Sequence, residues 1–187
     1  VLTESIYIAL EGAIVDGTGK EMPFGMRRDM DNITTGEAQP LAATEIEGLT
    51  PQVAGDIMAG LSKIEVETGV FIERTVAPED VLIMVNPQTY YKELFPNFTT
   101  TDLNGNYVQR LPLNFTIIQA TAVPEGELVI GRGKDYFFGL GRSTKIEKST
   151  EYHFVEDETV YKAKMYGNGQ PKFNGAFKRY TLSKPAA

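Results

Sequence analysis

The sequence predicts an α+β fold in which a helix covers one face of a sheet. The signs are a capped helical pattern, a continuous apolar run after it, and alternating strands towards the C-terminus. The helix is expected over about 50–67, where Thr50 can cap the first turn and Pro51 suits the first helical position. Its apolar residues recur at helical spacing as Val53, Ile57, Leu61 and Ile64.

The sheet under this helix is expected to contain three strands. Residues 81–85 form a continuous apolar run, which is typical of a buried strand. Residues 115–120 and 127–131 are also strand-like, and Pro124-Glu125-Gly126 indicates a turn between them. Because a helix face must cover a sheet face, we expect all three strands in one sheet.

The chain before this helix is expected to hold one helix and one long loop. Residues 2–15 carry apolar residues at helical spacing, and Asp16-Gly17-Thr18-Gly19 ends that helix with turn residues. Residues 27–48 are polar and interrupted by Gly and Pro, which predicts a loop.

The remaining elements are short. Asn86 is placed to cap a helix over 87–94, and 102–107 contains Asn104-Gly105-Asn106, which indicates a turn. Further strands are expected at 135–140, 159–166 and 176–182, with a turn over 166–171 and a terminal tail over 183–187.

Composition excludes several classes of protein. A chain of 187 residues suits one large domain or two small ones. Its 18 Lys plus Arg against 25 Asp plus Glu give 18 − 25 = −7, which argues against binding nucleic acid through phosphate contacts. The absence of Cys excludes disulfides and thiolate metal sites. No run of about 20 apolar residues is present, so no membrane-spanning helix is expected.

Two glycine-rich segments resemble phosphate-binding loops only superficially. In Asp16-Gly17-Thr18-Gly19-Lys20, a phosphate-binding loop would need Gly where Ile14 stands and a hydroxyl residue where Glu21 stands. Gly131-Arg132-Gly133-Lys134 lies between two predicted strands, so no helix N-terminus would face a phosphate there. Both segments are therefore predicted to be turns.

No other motif predicts chemistry. His153 is the only histidine and cannot form a zinc site without Cys unless carboxylates supply the other ligands. The acidic run Glu156-Asp157-Glu158 lacks the spaced ligands and turn glycine of a calcium loop. We therefore expect no catalytic, cofactor-binding or metal residue, although a pair of carboxylates brought together by the fold stays open.

Three stretches, in order and spacing, resemble the major capsid proteins of tailed phages with the Hong Kong 97-type fold. The first is 9–26, with its Gly17-Thr18-Gly19 turn followed by Pro23-Phe24-Gly25. The second is 81–131, which contains Asn86-Pro87, Asn104-Gly105 and Val123-Pro124-Glu125-Gly126. The third is 152–177, which ends in Ala176-Phe177. Together they cover about residues 5–182.

The resemblance implies an axial (A) domain and part of a peripheral (P) domain. On that map 1–25 is the end of the spine helix and its turn, in the peripheral domain. Residues 26–140 are the axial domain, and 141–187 are peripheral-domain strands and the C-terminal tail. An N-terminal arm, an extended hairpin loop and most of the spine helix would precede Val1, so the chain is expected to be the C-terminal two-thirds of such a protein.

The resemblance also implies a function. The chain is expected to be a structural subunit of an icosahedral phage or prophage shell that encloses double-stranded DNA, and not an enzyme. Its partners would be copies of itself in pentameric and hexameric capsomers, with scaffolding and portal proteins, and it would lie in the virion capsid after assembly in the bacterial host cytoplasm. No sequence-specific nucleic-acid binding and no membrane contact are expected.

Some family members crosslink a Lys of the hairpin loop to an Asn of the peripheral sheet. The matching stretch 154–157 offers Asp157 instead of Asn, so no crosslinking residue is carried over.

Without the N-terminal parts, the chain is expected to be a monomer or weak oligomer that does not close shells alone. Three other readings stay open at this point: an encapsulin-like nanocompartment shell, a small cytosolic enzyme, and a non-capsid binding module.

Overall fold

The computed structural model describes residues 2–67, 69–153 and 158–183. The helices are α1 (Leu2–Asp16), α2 (Pro51–Ser62), α3 (Pro87–Thr89) and α4 (Phe95–Phe98), with a π-helical turn at Tyr90–Leu94 and 3₁₀ turns at Pro78–Asp80 and Gly133–Asp135. The strands are β1 (Arg28–Thr34), β2 (Glu37–Pro40), β3 (Ala43–Ile46), β4 (Lys63–Glu67), β5 (Val70–Glu73), β6 (Val81–Val85), β7 (Thr99–Thr101), β8 (Tyr107–Gln109), β9 (Thr116–Gln119), β10 (Glu127–Arg132), β11 (Tyr136–His153), β12 (Glu158–Pro171) and β13 (Phe177–Leu182).

A five-stranded mixed sheet in the order β3-β13-β10-β6-β9 organises the molecule. β10 pairs antiparallel with both β6 and β13, whereas β3 and β9 pair in parallel at the two edges. The three strands predicted around 81–85, 115–120 and 127–131 therefore lie in one sheet, as expected. Within the described residues, the remaining strands pair in twos: β1–β2, β4–β5, β7–β8 and β11–β12.

The sheet is covered on both faces. On one face α2 packs its buried Ala54, Ile57 and Leu61 against residues of β6 and β10. On the other face the end of α1 contributes Val15, which packs with Met84, Val129 and Phe177. Neighbouring residues of β6 and β10 belong alternately to these two clusters, because successive side chains of a strand point to opposite faces of the sheet.

Helix α2 begins as predicted but ends earlier. The Thr50 hydroxyl accepts a hydrogen bond from the Val53 N–H, which confirms the cap. The helix stops at Ser62, because Lys63 is already extended and 63–67 pair with β5. Ile64 is buried as predicted, but it belongs to β4 and not to the helix face.

The long loop predicted over 27–48 is wrong. This segment forms β1, β2 and the edge strand β3. Thr35 and Gly36 both have positive φ angles of 53° and 80°, as the two central residues of a tight hairpin turn require. These strands carry mostly polar residues on exposed surfaces, so they lack the apolar alternation by which strands are recognised.

The turn predicted over 166–171 is also wrong, because β12 continues in extended form to Pro171. Its glycines serve close packing instead: a Cβ on Gly167 or Gly169 would stand about 2.8 Å from the Phe138 ring. The chain turns later, at 172–176, where Gly175 has a φ of 78°.

The short helix predicted at 87–94 is present, and the Asn86 side chain caps it by accepting from the Gln88 N–H. The helical path continues to Phe98 through the π-helical turn, since Pro96 has no N–H for the ordinary bond pattern. In the described part of the chain, no helix combines the length and apolarity needed to cross a membrane.

The last strand bears on the predicted division into 1–25, 26–140 and 141–187. β13 pairs with β10 and β3, so part of 141–187 lies inside the sheet formed by the middle segment. The resemblance had placed all of 141–187 in peripheral strands and a tail. The division itself stays a proposal, with β13 now reassigned to the central sheet.

Candidate subunit-contact surfaces

The segments considered as phosphate-binding loops have structural roles. The Gly25 N–H donates to the Gly17 carbonyl across the turn that follows α1, and Lys20 Nζ lies 3.6 Å from Glu37 Oε1. Gly131 and Arg132 belong to β10, and the predicted turn forms only over the 3₁₀ turn Gly133–Asp135 that precedes β11. The Lys134 ammonium donates to Asp80 at 2.7 Å. That hydrogen bond lowers the pKa of Asp80.

The structure describes His153 and the acidic run only in part. His153 is the last residue of β11, but its side chain is not among those described. Glu156 and Asp157 of the acidic run lie outside the described residues. Among the described residues, no three His, Asp or Glu side chains are grouped to hold a metal ion.

A buried ion cluster centres on Glu127, the first residue of β10. Its carboxylate accepts from Arg27 Nε at 2.8 Å and from Arg179 Nε at 2.9 Å. Burial alone would raise the pKa of Glu127, but the hydrogen bonds from Arg179 and Arg27 outweigh it and lower that pKa to about 2. The carboxylate is therefore ionised at neutral pH and holds two guanidinium groups together.

The same cluster reaches α1 through Asp16. Arg27 Nη1 donates to Asp16 Oδ1 at 2.8 Å, and Arg28 Nη2 donates to Asp16 Oδ2 at 2.9 Å. Asp16 is the last residue of α1, whereas Glu127 and Arg179 belong to the sheet. The cluster therefore fixes the end of α1 against the interior strands β10 and β13.

A second ion cluster surrounds Asp135, whose side chain is 2% exposed. Arg74 Nη2 lies 2.6 Å from Asp135 Oδ2, and Arg132 Nη2 lies 3.5 Å from Asp135 Oδ1. Arg74 also donates to the Leu61 carbonyl and stacks on the Phe173 ring at 5.6 Å. These contacts fix the β4–β5 hairpin against the point where β11 begins.

An acidic groove of about 500 Å³ runs beside the β3 edge of the sheet. Its lining includes three carboxylates, two cations and two large apolar residues: Asp29, Asp31, Glu65, Lys178, Arg179, Leu41 and Phe177. The Asn174 amide nitrogen donates to Asp29 at 2.9 Å and to Asp31 at 2.7 Å, which holds the two carboxylates side by side. We call this feature the acidic groove.

Nine of the exposed large apolar side chains in the described part of the chain lie on paired hairpins or in the helical segment at 90–98. They lie on the β4–β5 hairpin, in the π-helical turn and after it, on the β7–β8 hairpin and on β11–β12: Val70, Phe71, Ile72, Tyr91, Phe95, Leu103, Tyr107, Phe137 and Tyr166. Aromatic residues concentrate at protein–protein interfaces, which makes these hairpins candidate contact surfaces.

Sequence reasoning missed both ion clusters and the acidic groove. Glu127 is 100 positions from Arg27 and 52 from Arg179, and no local pattern links them. The groove is formed by β1, β4 and the turn before β13. It was missed because β1 was predicted to be part of a loop and β4 part of a helix.

Comparison with known proteins gives a consistent answer on the fold. No protein-family model matches the sequence, and no curated protein matches it significantly. The capsid of an empty GTA particle, computed with C5 symmetry, matches with a TM-score of 0.61 and 11% identity over 98% of this chain and 64% of that chain. The capsid of a native GTA particle gives the same TM-score of 0.61 and identity of 11%, over 98% and 63% of the two chains.

The holo-SrpI encapsulin complex from Synechococcus elongatus PCC 7942 also matches. Its TM-score is 0.51 at 11% identity, over 100% of this chain and 66% of that chain. The chain thus spans 64% of the length of the first capsid chain that it matches. The similarity confirms an α+β fold of the Hong Kong 97 type, which the sequence motifs had indicated.

Proposed function

We propose that this chain is a structural subunit of an icosahedral phage-type capsid shell that encloses double-stranded DNA, and that it is not an enzyme. The observation that carries the proposal is the match of nearly the whole chain, 98%, to capsids of GTA particles. Because the match covers nearly the whole chain, the proposal applies to the described residues as one unit.

The surface chemistry supports a role in assembly. Exposed aromatic residues lie on the β4–β5, β7–β8 and β11–β12 hairpins and in the helical segment at 90–98, where a neighbour can reach them. Among the described residues, the most buried carboxylates, Asp135 and Glu127, are held by arginines and so stabilise the fold instead of facing a reactant. In the acidic groove, the Asn174 amide donates to both Asp29 and Asp31, an arrangement that suits a docking surface.

The proposed partners are copies of the same chain in pentameric and hexameric capsomers, with scaffolding and portal proteins during assembly. The proposed location is the virion capsid, after assembly in the bacterial host cytoplasm. The net charge of −7 suits a wall that faces packaged DNA without adhering to it.

A second candidate function is the wall of an encapsulin-like nanocompartment. It is favoured by the encapsulin match, which covers 100% of this chain, although its TM-score of 0.51 is lower than the 0.61 of the capsids. The two functions differ in content, since a capsid encloses DNA and a nanocompartment encloses cargo protein.

The test is electron microscopy of particles that contain this chain, with measurement of their contents. We expect particles that contain this chain to be closed icosahedral shells that protect DNA from nuclease, whereas the chain alone should form at most rings of five or six copies. Shells that hold protein and no nucleic acid would establish the nanocompartment instead. A protein that stays monomeric throughout the micromolar range and shows catalytic turnover, lost on a point substitution, would contradict both.

A further inference from the structure

The β4–β5 hairpin exposes apolar residues on both of its faces. Val70, Phe71 and Ile72 follow one another along β5, and each is about half exposed. Successive residues of a strand point to opposite faces, so the rest of the described chain fully covers neither face of this strand. A two-stranded hairpin is marginally stable alone, and this one is anchored at its base by the buried Ile64 of β4.

The outer edge of β5 is open. β4 and β5 form a two-stranded sheet, and no further strand of the described chain pairs with β5. The Arg74 N–H donates to the Ser62 carbonyl, and hydrogen-bonded pairs alternate along an antiparallel ladder. Ile72, two residues earlier, therefore also directs its backbone groups towards β4, whereas Phe71 and Glu73 direct theirs outwards. These outward N–H and C=O groups form a template for another strand.

The sequence of β5 is complementary to a second copy of itself. In antiparallel pairing about a two-fold axis at Phe71, the two Phe71 residues would oppose each other as a hydrogen-bonded pair, as the outward groups require. Val70 of each copy would stand opposite Ile72 of the other, so these four apolar side chains would share one face. Because Ile64 lies directly opposite Ile72, the apolar strip would run from the buried Ile64 of one copy to that of the other.

Charge selects this register over its alternative. Of the four residues of β5, Phe71 and Glu73 direct their backbone groups outwards, so the axis can lie at one or the other. An axis at Glu73 would oppose two carboxylates, which is destabilising. With the axis at Phe71, Glu73 falls opposite Gly69 of the second copy, which has no side chain. The ion pair between Lys63 Nζ and Glu73 Oε1, at 3.8 Å, stays within each copy.

The area of this contact indicates its strength. A fully exposed aromatic side chain offers about 150–250 Å², so three half-exposed side chains give roughly 300 Å² per copy. A standard interface buries about 800 Å² per partner. The isolated contact should therefore give a weak and reversible dimer in the high micromolar range, which further contacts in an assembly would strengthen.

We propose that β5 of one copy pairs antiparallel with β5 of a second copy about a two-fold axis, which joins two hairpins into a four-stranded sheet in the order β4-β5-β5-β4. The inference rests on the proposed shell function for the expectation that copies meet, and deepens it by naming one surface at which they do. The contact is isologous, because each copy contributes the same strand. Icosahedral symmetry contains two-fold axes, so the contact is compatible with a closed shell.

Cysteine crosslinking tests the register directly, because the chain has no Cys of its own. Opposed residues of a hydrogen-bonded antiparallel pair have Cα atoms about 5.5 Å apart, within the range of about 4.4–6.8 Å that a disulfide spans. Purified Phe71→Cys should therefore form a covalent dimer under mild oxidation. A non-reducing gel shows the dimer, and a reductant should reverse it.

Glu73→Cys is the matched control for this crosslink. Glu73 lies on the same strand and the same face as Phe71, and its side chain is 80% exposed. In the proposed register, position 73 of one copy lies four residues along the strands from position 73 of the other, roughly 13 Å away and too far for a disulfide. We expect Glu73→Cys to crosslink at least about tenfold more slowly than Phe71→Cys. Labelling with a soluble thiol reagent checks that both thiols are equally reactive.

A charge placed on the axis tests the pairing without oxidation. Phe71→Glu would oppose two carboxylates, and we expect it to weaken dimerisation about tenfold or more in sedimentation velocity at high protein concentration. Tyr107→Glu makes the same kind of change at an exposed aromatic residue of the β7–β8 hairpin and should leave dimerisation within about twofold. Thermal melts of all variants check that the fold is intact.

Three outcomes would overturn the inference. Equal crosslinking rates at positions 71 and 73 would show random collision in place of a defined register. Failure of folded Phe71→Cys to crosslink would exclude the pairing and leave the shell function standing, because that function is judged by the imaging and contents of particles. Dimerisation that persists in Phe71→Glu but is lost in Tyr107→Glu would place the contact on the β7–β8 hairpin instead.

Discussion

Glu127 shows how one carboxylate can hold together three distant parts of a chain. It binds Arg27, which follows α1, and Arg179, which lies on the neighbouring strand β13. Its position in a strand follows from the sequence pattern, but its partners do not, because they are brought near only when the sheet forms. Removing one member of a buried ion cluster leaves the other charges without compensation.

We expect Glu127→Gln to lower the free energy of unfolding by about 3 kcal/mol, because Arg27 and Arg179 would stay buried without a counter-charge. Urea unfolding followed by circular dichroism measures the change. Glu125→Gln is the control: this exposed residue lies in the preceding turn, and its substitution should change stability by no more than about 0.5 kcal/mol. Equal effects of the two substitutions would show that the cluster contributes nothing.

The pKa of Glu127 predicts how stability depends on pH. It falls from an ordinary 4.5 to about 2 in the folded protein, so protonation favours the unfolded chain. The contribution is complete above pH 4.5 and is lost as the pH falls towards 2, at about 2 kcal/mol after allowance for partial exposure. The stability difference between the unaltered chain and Glu127→Gln should therefore shrink between pH 5 and pH 2.5, and a constant difference would contradict the ion pairing.

Substitution of Gly17 tests how closely the backbone packs in the turn after α1. A Cβ at this position would overlap the backbone carbonyl oxygens of Pro23 and Ala13, neither of which can move without disturbing the turn. We expect Gly17→Ala to cost about 2 kcal/mol or more. Gly12→Ala, within α1 and with open space around it, should instead stabilise by about 0.5–1 kcal/mol in the same unfolding measurement.

A helix or strand could be predicted from the sequence where neighbouring residues alone determine it. The start of α2 follows from Thr50 and Pro51, which form the cap with no help from the rest of the chain. Its end does not, because Ile64 fits the helical spacing while Lys63–Glu67 also alternates as a strand, and pairing with β5 decides between the two. β1 and β2 were missed for a related reason, since polar hairpin strands are specified by their turn and their partner.

The cap of α2 provides a test at this scale. Replacing Thr50 with Ala removes the acceptor for the Val53 N–H, and we expect a loss of about 1 kcal/mol. Replacing it with Ser retains the hydroxyl and should have little effect, and because both variants lack the threonine methyl group, they differ only in the hydroxyl that makes the hydrogen bond. Equal destabilisation by both would attribute the loss to the methyl group instead of the cap.

At the scale of the whole molecule, the fold depends on contacts between distant segments. The sheet order β3-β13-β10-β6-β9 places β13, the last described strand, between β3 and β10, which both precede it by many residues in the sequence. The motifs along the sequence indicated the fold type, but the position of β13 was not foreseen, because its pattern shows a strand and not its neighbours. Such a sheet cannot be completed until the C-terminal strand is available.

Truncation tests this dependence on β13. A chain that ends at Ala176 lacks a strand paired on both sides, together with the buried Phe177 and the Arg179 bonds to Glu127. We expect it to lose cooperative unfolding, because β3 and β10 would both expose backbone groups and part of each apolar cluster would be opened. A chain that ends at Ser183 is the control, since it keeps every pairing of β13 and the Ser183 N–H bond to Ile46. Thermal denaturation followed by circular dichroism distinguishes the two, and a cooperative transition in the shorter chain would show that the remaining strands form a stable sheet without β13.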